Sequence, residues 1–225
     1  MRKPEVARWR NGLWLALAMV ALAAAPTLAQ TAPAAVGLGA GSELGLSGTS
    51  TIHDYESKTS KLEVKFLRDA AQADPADVAA LDAWLKAGGL KGLELAVPVA
   101  TMRSGKDGLD KNMFKALRTT EFPHIKFAMN GSTFGTARGD TLPVTANGTL
   151  TVTDQQHPVA VKGHLVRTAQ GVWLEGKHPM NMSEFGIKPP KMMMGTLKVH
   201  DPIVVHFRLL LVPAGANVAK EAAAH

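Results

Sequence analysis

The sequence predicts an all-β protein with two short helices, and three observations support this prediction. Apolar and polar residues alternate along many short runs of the chain, which is typical of strands with one buried and one solvated face. Gly (21) and Pro (13) are plentiful while aromatic residues are only 5%, a balance that favours many turns over long helices. Hydrophobic residues make up 46% of the 225 residues, which is enough for a packed core and excludes a fully disordered chain.

The alternating runs predict about eight strands. Leu62, Val64 and Phe66 alternate with charged residues in one run, and residues 144–152 set Val, Ala, Gly and Leu against Thr and Asn in another. Further runs of this kind continue to residue 211. An antiparallel sheet with one solvated face buries the other in a sandwich of two sheets or in a barrel. Periodicity alone leaves both architectures open.

Two segments carry helix signals. Asp74 and Pro75 supply a cap and a first-turn proline for a helix over residues 75–87. A second helix is predicted over residues 107–118, with Asp107 as its cap. Both helices are short, so the predicted fold class remains all-β.

The first 29 residues have the pattern of a secretory signal peptide. Four Lys or Arg residues precede and flank an apolar run over 13–25, and Thr27, Leu28 and Ala29 suit a signal peptidase, with cleavage after Ala29. The run has 13 residues, whereas a membrane-spanning helix needs about 20. We therefore expect a periplasmic or secreted protein without a stable membrane anchor after cleavage.

The rest of the chain is expected to hold one domain. Residues 30–42 are rich in Ala, Pro and Gly and predict a disordered leader. Residues 213–225 predict a flexible tail for the same compositional reason. Residues 43–212 between them contain no internal repeat and no second linker, so we assign them to a single β domain.

Charge and cysteine content exclude several classes of function. The signal carries four of the 25 basic and one of the 19 acidic residues, so the remainder has a net charge of only +3. No basic cluster with interleaved aromatic residues is present, and nucleic-acid binding is not expected. The absence of cysteine excludes disulfides, thiolate zinc sites and cysteine nucleophiles.

No catalytic constellation is evident. The sequence contains no Gly-x-Ser-x-Gly, no Gly-rich phosphate loop and no His-Glu-x-x-His. His53 and Asp54 are adjacent, but such a pair after Ser50-Thr51 is more typical of a turn. His124 and His206 lie on the polar phase of their strands, where an outward, solvated side chain is the ordinary interpretation. The sequence therefore predicts a protein that is not an enzyme, with no catalytic residue, metal site or cofactor.

Methionine is concentrated near the end of the domain, at Met180, Met182 and 192–194. Thioethers are flexible and apolar, so these residues could fill an irregular core or line an apolar cavity. They are also soft ligands that select Cu(I), and His178 and His200 lie near them in sequence. All three alternatives remain open from the sequence.

Four segments resemble one known family. Lys106–Asp110 and 122–127 (Phe-Pro-His-Ile-Lys-Phe) are similar to an Asp-containing helix and the strand that follows it. Residues 147–152 (Asn-Gly-Thr-Leu-Thr-Val) and 183–187 (Ser-Glu-Phe-Gly-Ile) are similar to two further family motifs. Over residues 44–212 the chain resembles the YceI-like family, the polyisoprenoid-binding proteins of the bacterial cell envelope.

The resemblance implies an elongated antiparallel eight-stranded lipocalin-like barrel with two short helices, in which 75–87 is an insertion. It also implies a lengthwise pocket for one lipid tail. We accordingly expect a carrier for a long-chain amphipathic lipid: a polyisoprenoid, an isoprenoid quinone or a fatty-acid derivative.

The expected pocket wall consists of large apolar residues on the strands and on the second helix. These are Phe66, Leu95, Met113, Phe127, Met129, Leu150, Trp173, Phe185, Met193 and Phe207. The alternatives are an envelope interaction protein with a filled barrel and a periplasmic Cu(I)-binding protein that uses the Met-rich segment. The sequence leaves the oligomeric state open, a homodimer included.

Overall fold

One curled antiparallel sheet dominates the protein. The structure is a computed structural model and describes residues 36–69, 71–192 and 197–214. The strands are β1 (Val36–Leu38), β2 (Glu43–Ser50), β3 (Tyr55–Thr59), β4 (Glu63–Arg68), β5 (Leu90–Pro98), β6 (His124–Phe134), β7 (Thr141–Val152), β8 (Gln155–Arg167), β9 (Val172–Asn181), β10 (Lys191–Met192) and β11 (Leu197–Pro213). The helices are α1 (Val78–Lys86) and α2 (Asp107–Ala116).

Nine strands follow one another in the order β3-β2-β11-β9-β8-β7-β6-β5-β4, and β1 and β10 add to β11. The sheet curls into a half-barrel whose end strands, β3 and β4, are not paired with each other within the described residues. The all-β, antiparallel, lipocalin-like fold class is therefore confirmed. The path has nine strands where about eight were expected, because the sequence assignment began at Leu62 and passed over β2 and β3, which are rich in Gly, Ser and Thr.

β1 corrects the predicted leader. Val36–Leu38 pair antiparallel with the end of β11, from Val36 opposite Pro213 to Leu38 opposite Leu211. Val36 is 1% exposed, so this strand belongs to the core. Residues 36–42 are thus part of the folded domain. The composition of this stretch is typical of a linker, but Val36 and Leu38 still pair with β11 although Gly37 separates them. Residues 1–35 and 215–225, which include the predicted signal and most of the tail, lie outside the described residues.

α1 begins later than predicted. Asp77 is its N-cap, and its Oδ1 accepts a hydrogen bond from the backbone N–H of Ala80 at 2.8 Å. Asp74, the expected cap, instead forms an ion pair with Arg68 at 2.7 Å. Both aspartates are chemically suitable caps, and only the path of the chain from β4 decides between them.

The apolar face of α1 seals one end of the curled sheet. Leu81, Trp84 and Leu85 are buried and pack in one cluster with Leu165 of β8 and Leu211 of β11. A second cluster around Phe185 fills the opposite end, and a third lies between them. The concave face of the sheet is therefore packed at both ends, and the third cluster, which includes Leu93, Leu95 and Met129, lies at its middle.

Candidate functional site: an apolar cavity

A cavity of about 260 Å³ lies against the concave face of the sheet. Its volume is close to the lower end of the range usual for small-molecule pockets, about 300–1,000 Å³. Most of the lining side chains are aliphatic or aromatic, and they come from β2, β5, β6, β7, β8, β9 and β11 and from α2. An enclosure of this kind favours an apolar guest, because burial in it removes hydrocarbon surface from water.

Six of the ten residues expected in the pocket wall line this cavity: Leu95, Met113, Phe127, Met129, Leu150 and Phe207. They come from five different elements, so the curl of the sheet is what brings them together. Their contact with a ligand remains a prediction.

Trp173 does not line the cavity. Its neighbour Leu174 does, and since adjacent residues of a strand point to opposite faces, Trp173 lies on the outer side. There it packs with Leu210 and Val212, and the guanidinium of Arg208 lies 3.9 Å from the centre of its ring system. The prediction was wrong because Trp173 was chosen for its size, although the alternation of the run places Leu174 on the inner face.

Phe66 and Phe185 also lie away from the cavity lining. Phe66 is partly buried and packs against the core clusters beside α1 and at the middle of the sheet. Phe185 is 2% exposed in a short 3-10 turn, where its ring meets that of His157 edge-on at 4.8 Å between centroids. Both are core residues. Met193 lies outside the described residues.

The sequence analysis missed several wall residues. Val205 and Leu209 of β11 line the cavity together with Phe207, as the alternation of that run would have predicted. Leu44 and Leu46 of β2 line it as well, but they alternate with glycine and serine rather than with charged residues. Alternation of apolar residues was present in both β11 and β2, and it was weak only in β2, where Gly and Ser stand between the leucines.

The rings of Phe127 and Phe207 lie over glycines of neighbouring strands. A Cβ added to Gly148 would come within 2.8 Å of Phe127 Cε2. Gly163 and Gly176 are cross-strand partners, and a Cβ on Gly176 would lie 2.4 Å from Phe207 Cζ. The lack of a side chain at these glycines therefore leaves space for the two rings in the cavity wall.

The lining includes carboxylates but no Lys or Arg among the described residues. Asp110 accepts hydrogen bonds at Oδ1 from the Ser104 backbone N–H at 2.8 Å and the Ser104 hydroxyl at 2.6 Å. Burial lowers the pKa of His178, an effect that Glu184 partly opposes, so its imidazole is neutral at neutral pH. Burial raises the pKa of Tyr55, so its phenol keeps its proton. No cation is thus offered to a guest by the described lining.

His53 and Asp54 make the contacts of a turn. The carbonyl of His53 accepts a hydrogen bond from the Ser50 hydroxyl at 2.7 Å, and His53 Nδ1 lies 3.1 Å from the Asp54 carbonyl, as in a turn. In the described part of the chain, His, Asp and Glu form no group of three or more that could hold a metal ion. Among the described helices, none combines the length and apolarity needed to cross a membrane.

Fold and cavity together define a class of antiparallel β proteins curled around an apolar pocket. Residues 40–211 match the YceI-like domain, and the chain belongs to the YceI-like family. The family resemblance of the four sequence motifs is thereby confirmed. No match was found among curated proteins.

Two solved structures share the fold. Burkholderia cenocepacia BcnA superposes with a TM-score of 0.58 at 16% identity, covering 78% of this chain and 99% of that one. A polyisoprenoid-binding domain from Saccharophagus degradans, implicated in plant cell wall breakdown, gives a TM-score of 0.57 at 12% identity, covering 80% and 99%. At such identities the likeness concerns the fold alone.

Proposed function

We propose that this protein is a non-catalytic carrier that holds the tail of a long-chain amphipathic lipid in the cavity of the curled sheet. The observation that carries the proposal is the apolar cavity, whose wall draws on most strands of the sheet. The Saccharophagus degradans domain of similar fold is described as polyisoprenoid-binding, which supports a polyisoprenoid, an isoprenoid quinone or a fatty-acid derivative as the guest.

The hydrophobic effect alone can supply the affinity. Each methylene removed from water contributes about 0.8 kcal/mol, so ten buried methylenes contribute roughly 8 kcal/mol before ordering costs. A binding free energy of that size corresponds to a dissociation constant of about 1 µM. A carrier of this kind needs no reactive side chain.

Filling the cavity should abolish lipid binding. Ala146 lines the cavity, whereas Ala128 on the neighbouring strand β6 faces outward. We expect wild-type protein and the A128W variant, purified gently from the native host, to show a co-purified lipid by native mass spectrometry. The A146W variant should give only the mass of the empty protein, because the indole occupies the space of the guest.

Circular dichroism of both variants controls for misfolding, and A146F provides a smaller obstruction should A146W fail to fold. An empty wild-type protein after gentle extraction would contradict the carrier proposal. Equal lipid occupancy in A128W and a folded A146W would also contradict it, since the lipid would then lie elsewhere.

The carrier proposal includes an extracytoplasmic location. The basic start, the 13-residue apolar run and the small residues before position 30 support export through a cleaved signal peptide. Terminal sequencing of protein from its native host is expected to begin at Gln30. A chain that retains residues 1–29 would contradict cleavage.

The two alternatives receive less support. A filled barrel would bind a partner through its surface, and the cavity weighs against that interpretation. The Cu(I) hypothesis retains Met180, Met182 and His178, which all line the cavity. Of its other candidate ligands, His200 is exposed and its Nδ1 lies 2.8 Å from the Thr49 hydroxyl. The Met192 side chain, Met193 and Met194 lie outside the described residues, so that hypothesis stays a prediction.

A further inference from the structure

The inner apolar face of the sheet is longer than the cavity that lies against it. On β7, Val144 lines the cavity, but Leu142, the next residue of the same face, does not. On β9, Leu174 lines the cavity, whereas Val172, the next residue of that face, is 0% exposed and lies outside the lining. The cavity therefore ends before these two strands do.

The side chains that cover this end of the sheet belong to α1. Leu142 and Val172 are members of one core cluster with Leu81, Trp84 and Leu85 of that helix. Among the three helix residues, only Leu85 also lines the cavity. Leu85 is therefore the side chain through which α1 borders the cavity, while the other two pack away from the open space.

Contacts on two sides hold α1 in this position. Asp82, which is 8% exposed, pairs with Lys86 at 2.7 Å and lies 3.9 Å from the guanidinium of Arg167 at the end of β8. The indole of Trp84 lies against Gly89, where an added Cβ would overlap the ring. The Gly89 N–H also donates to the Trp84 carbonyl at 2.9 Å. The helix is thus attached to β8 and to the segment that leads into β5, so a guest in the cavity meets a fixed wall.

The length of the cavity limits the length of chain that it can bury. Its lining includes every second residue of β11 from Ile203 to Leu211, which spans about 26 Å at about 3.3 Å per residue. The three chain bonds of one extended residue cover about 3.5 Å, so a hydrocarbon chain of about twenty carbons spans the same distance. A longer chain has to leave the cavity or displace α1.

We propose that α1 is a stop for the tail of the bound lipid and that Leu85 sets the longest tail that the cavity accepts. The stop rests on the proposed carrier function and narrows its ligand class to lipids whose buried chain has about twenty carbons. The end of the tail contacts Leu85, and the apolar faces of β7, β9 and β11 hold the rest of the chain.

A series of saturated fatty alcohols from dodecanol to hexacosanol measures the limit. The alcohols are supplied as cyclodextrin complexes and compete with Nile red bound to the purified protein. Each buried methylene should raise the affinity about fourfold. We expect this rise to stop at about twenty carbons. A rise that continues at the same rate to hexacosanol would overturn the stop.

Substitutions of Leu85 should move the limit in both directions. L85A shortens the side chain, so the limit should increase by about two carbons and docosanol should bind at least about tenfold more tightly than to the wild type. L85F extends the side chain, so eicosanol should lose at least about tenfold in affinity. Circular dichroism checks that each variant folds, and L85V provides a smaller truncation should L85A fail to fold.

L142A is the matched control for a loss of packing in the same cluster. Leu142 is buried beside α1 but does not line the cavity. Its truncation should lower the stability toward urea, as L85A does, because both remove buried methyl groups. The longest alcohol that gains affinity should nevertheless be the same in L142A as in the wild type.

The outcomes distinguish the stop from the carrier function. The same limit in the wild type, L85A and L85F would overturn the stop and leave the carrier function standing. An increase in L142A equal to that in L85A would also overturn it, since loosened packing and not Leu85 would then set the limit. Failure of Nile red and of every alcohol to bind would overturn the carrier function itself.

Discussion

Gly176 leaves room for the ring of Phe207 in the cavity wall because glycine has no side chain. A Cβ at this position would lie 2.4 Å from the Lys162 carbonyl oxygen and 2.4 Å from the ring of Phe207. The carbonyl belongs to the backbone of the neighbouring strand, so it cannot move aside as the end of a flexible side chain would. The methyl group of an alanine at position 176 would therefore displace either the paired backbone of β8 or the ring of Phe207.

We therefore expect G176A to lower the free energy of unfolding by about 1–3 kcal/mol, the usual cost of overpacking. Urea denaturation monitored by circular dichroism measures the change. G131A is the control, since open space surrounds the position of its added Cβ, and we expect its effect to be within about 1 kcal/mol of zero. Equal effects of the two substitutions would show that the space beneath Phe207 is not constrained.

Single residues also show where sequence reasoning fails. Phe127 and Met129 line the cavity as predicted because the alternation of their run gave their phase. Trp173 was assigned to the wrong face because its size was preferred over its phase.

Among the elements, α1 depends on a cap that the sequence does not single out. The Asp77 carboxylate is exposed and accepts the Ala80 N–H at 2.8 Å, which satisfies one of the unpaired donors of the first turn. Because Leu81 and Trp84 of this helix are buried in a core cluster, fraying of its first turn would loosen one end of the sheet.

Substituting the cap should reduce stability measurably. We expect D77A to lower the free energy of unfolding by about 1 kcal/mol. D74A removes an exposed carboxylate of the ion pair with Arg68 and should cost less, between about 0 and 1 kcal/mol. Chemical denaturation of the two variants in parallel measures the difference, and a larger loss in D74A would contradict the assignment of the cap.

Element boundaries were predicted only to within a few residues. The sequence placed α2 over residues 107–118 with Asp107 as its cap, whereas the helix is Asp107–Ala116 and its N-cap is Lys106, which makes no side-chain capping hydrogen bond. It placed α1 at residue 75, three residues early, since Asp74-Pro75 is as good a local start as Asp77. β1 was assigned to the leader because Val36-Gly37-Leu38 is too short to show a period within a stretch rich in Ala and Gly, and only pairing with β11 makes it a strand.

At the scale of the whole fold, the important feature is that the sheet is curled, and that no strand among the described residues pairs its two ends with each other. β3 and β4 stand at the two ends of the strand order, and the segment before α2 bonds to β3 through Lys58 and Arg103. Leu109 and Met113 of α2 line the cavity, so the helix covers the gap with its apolar face.

The sequence by itself determined the all-β class, most of the strands, the phase of their apolar faces and the membership of the YceI-like family. These properties follow from local alternation and from short motifs, which a chain carries whatever its tertiary structure. The tertiary structure decided which apolar faces surround a cavity and which aromatic residues lie outside it. Those properties depend on register, curl and contacts between residues distant in the chain, and no local pattern encodes them.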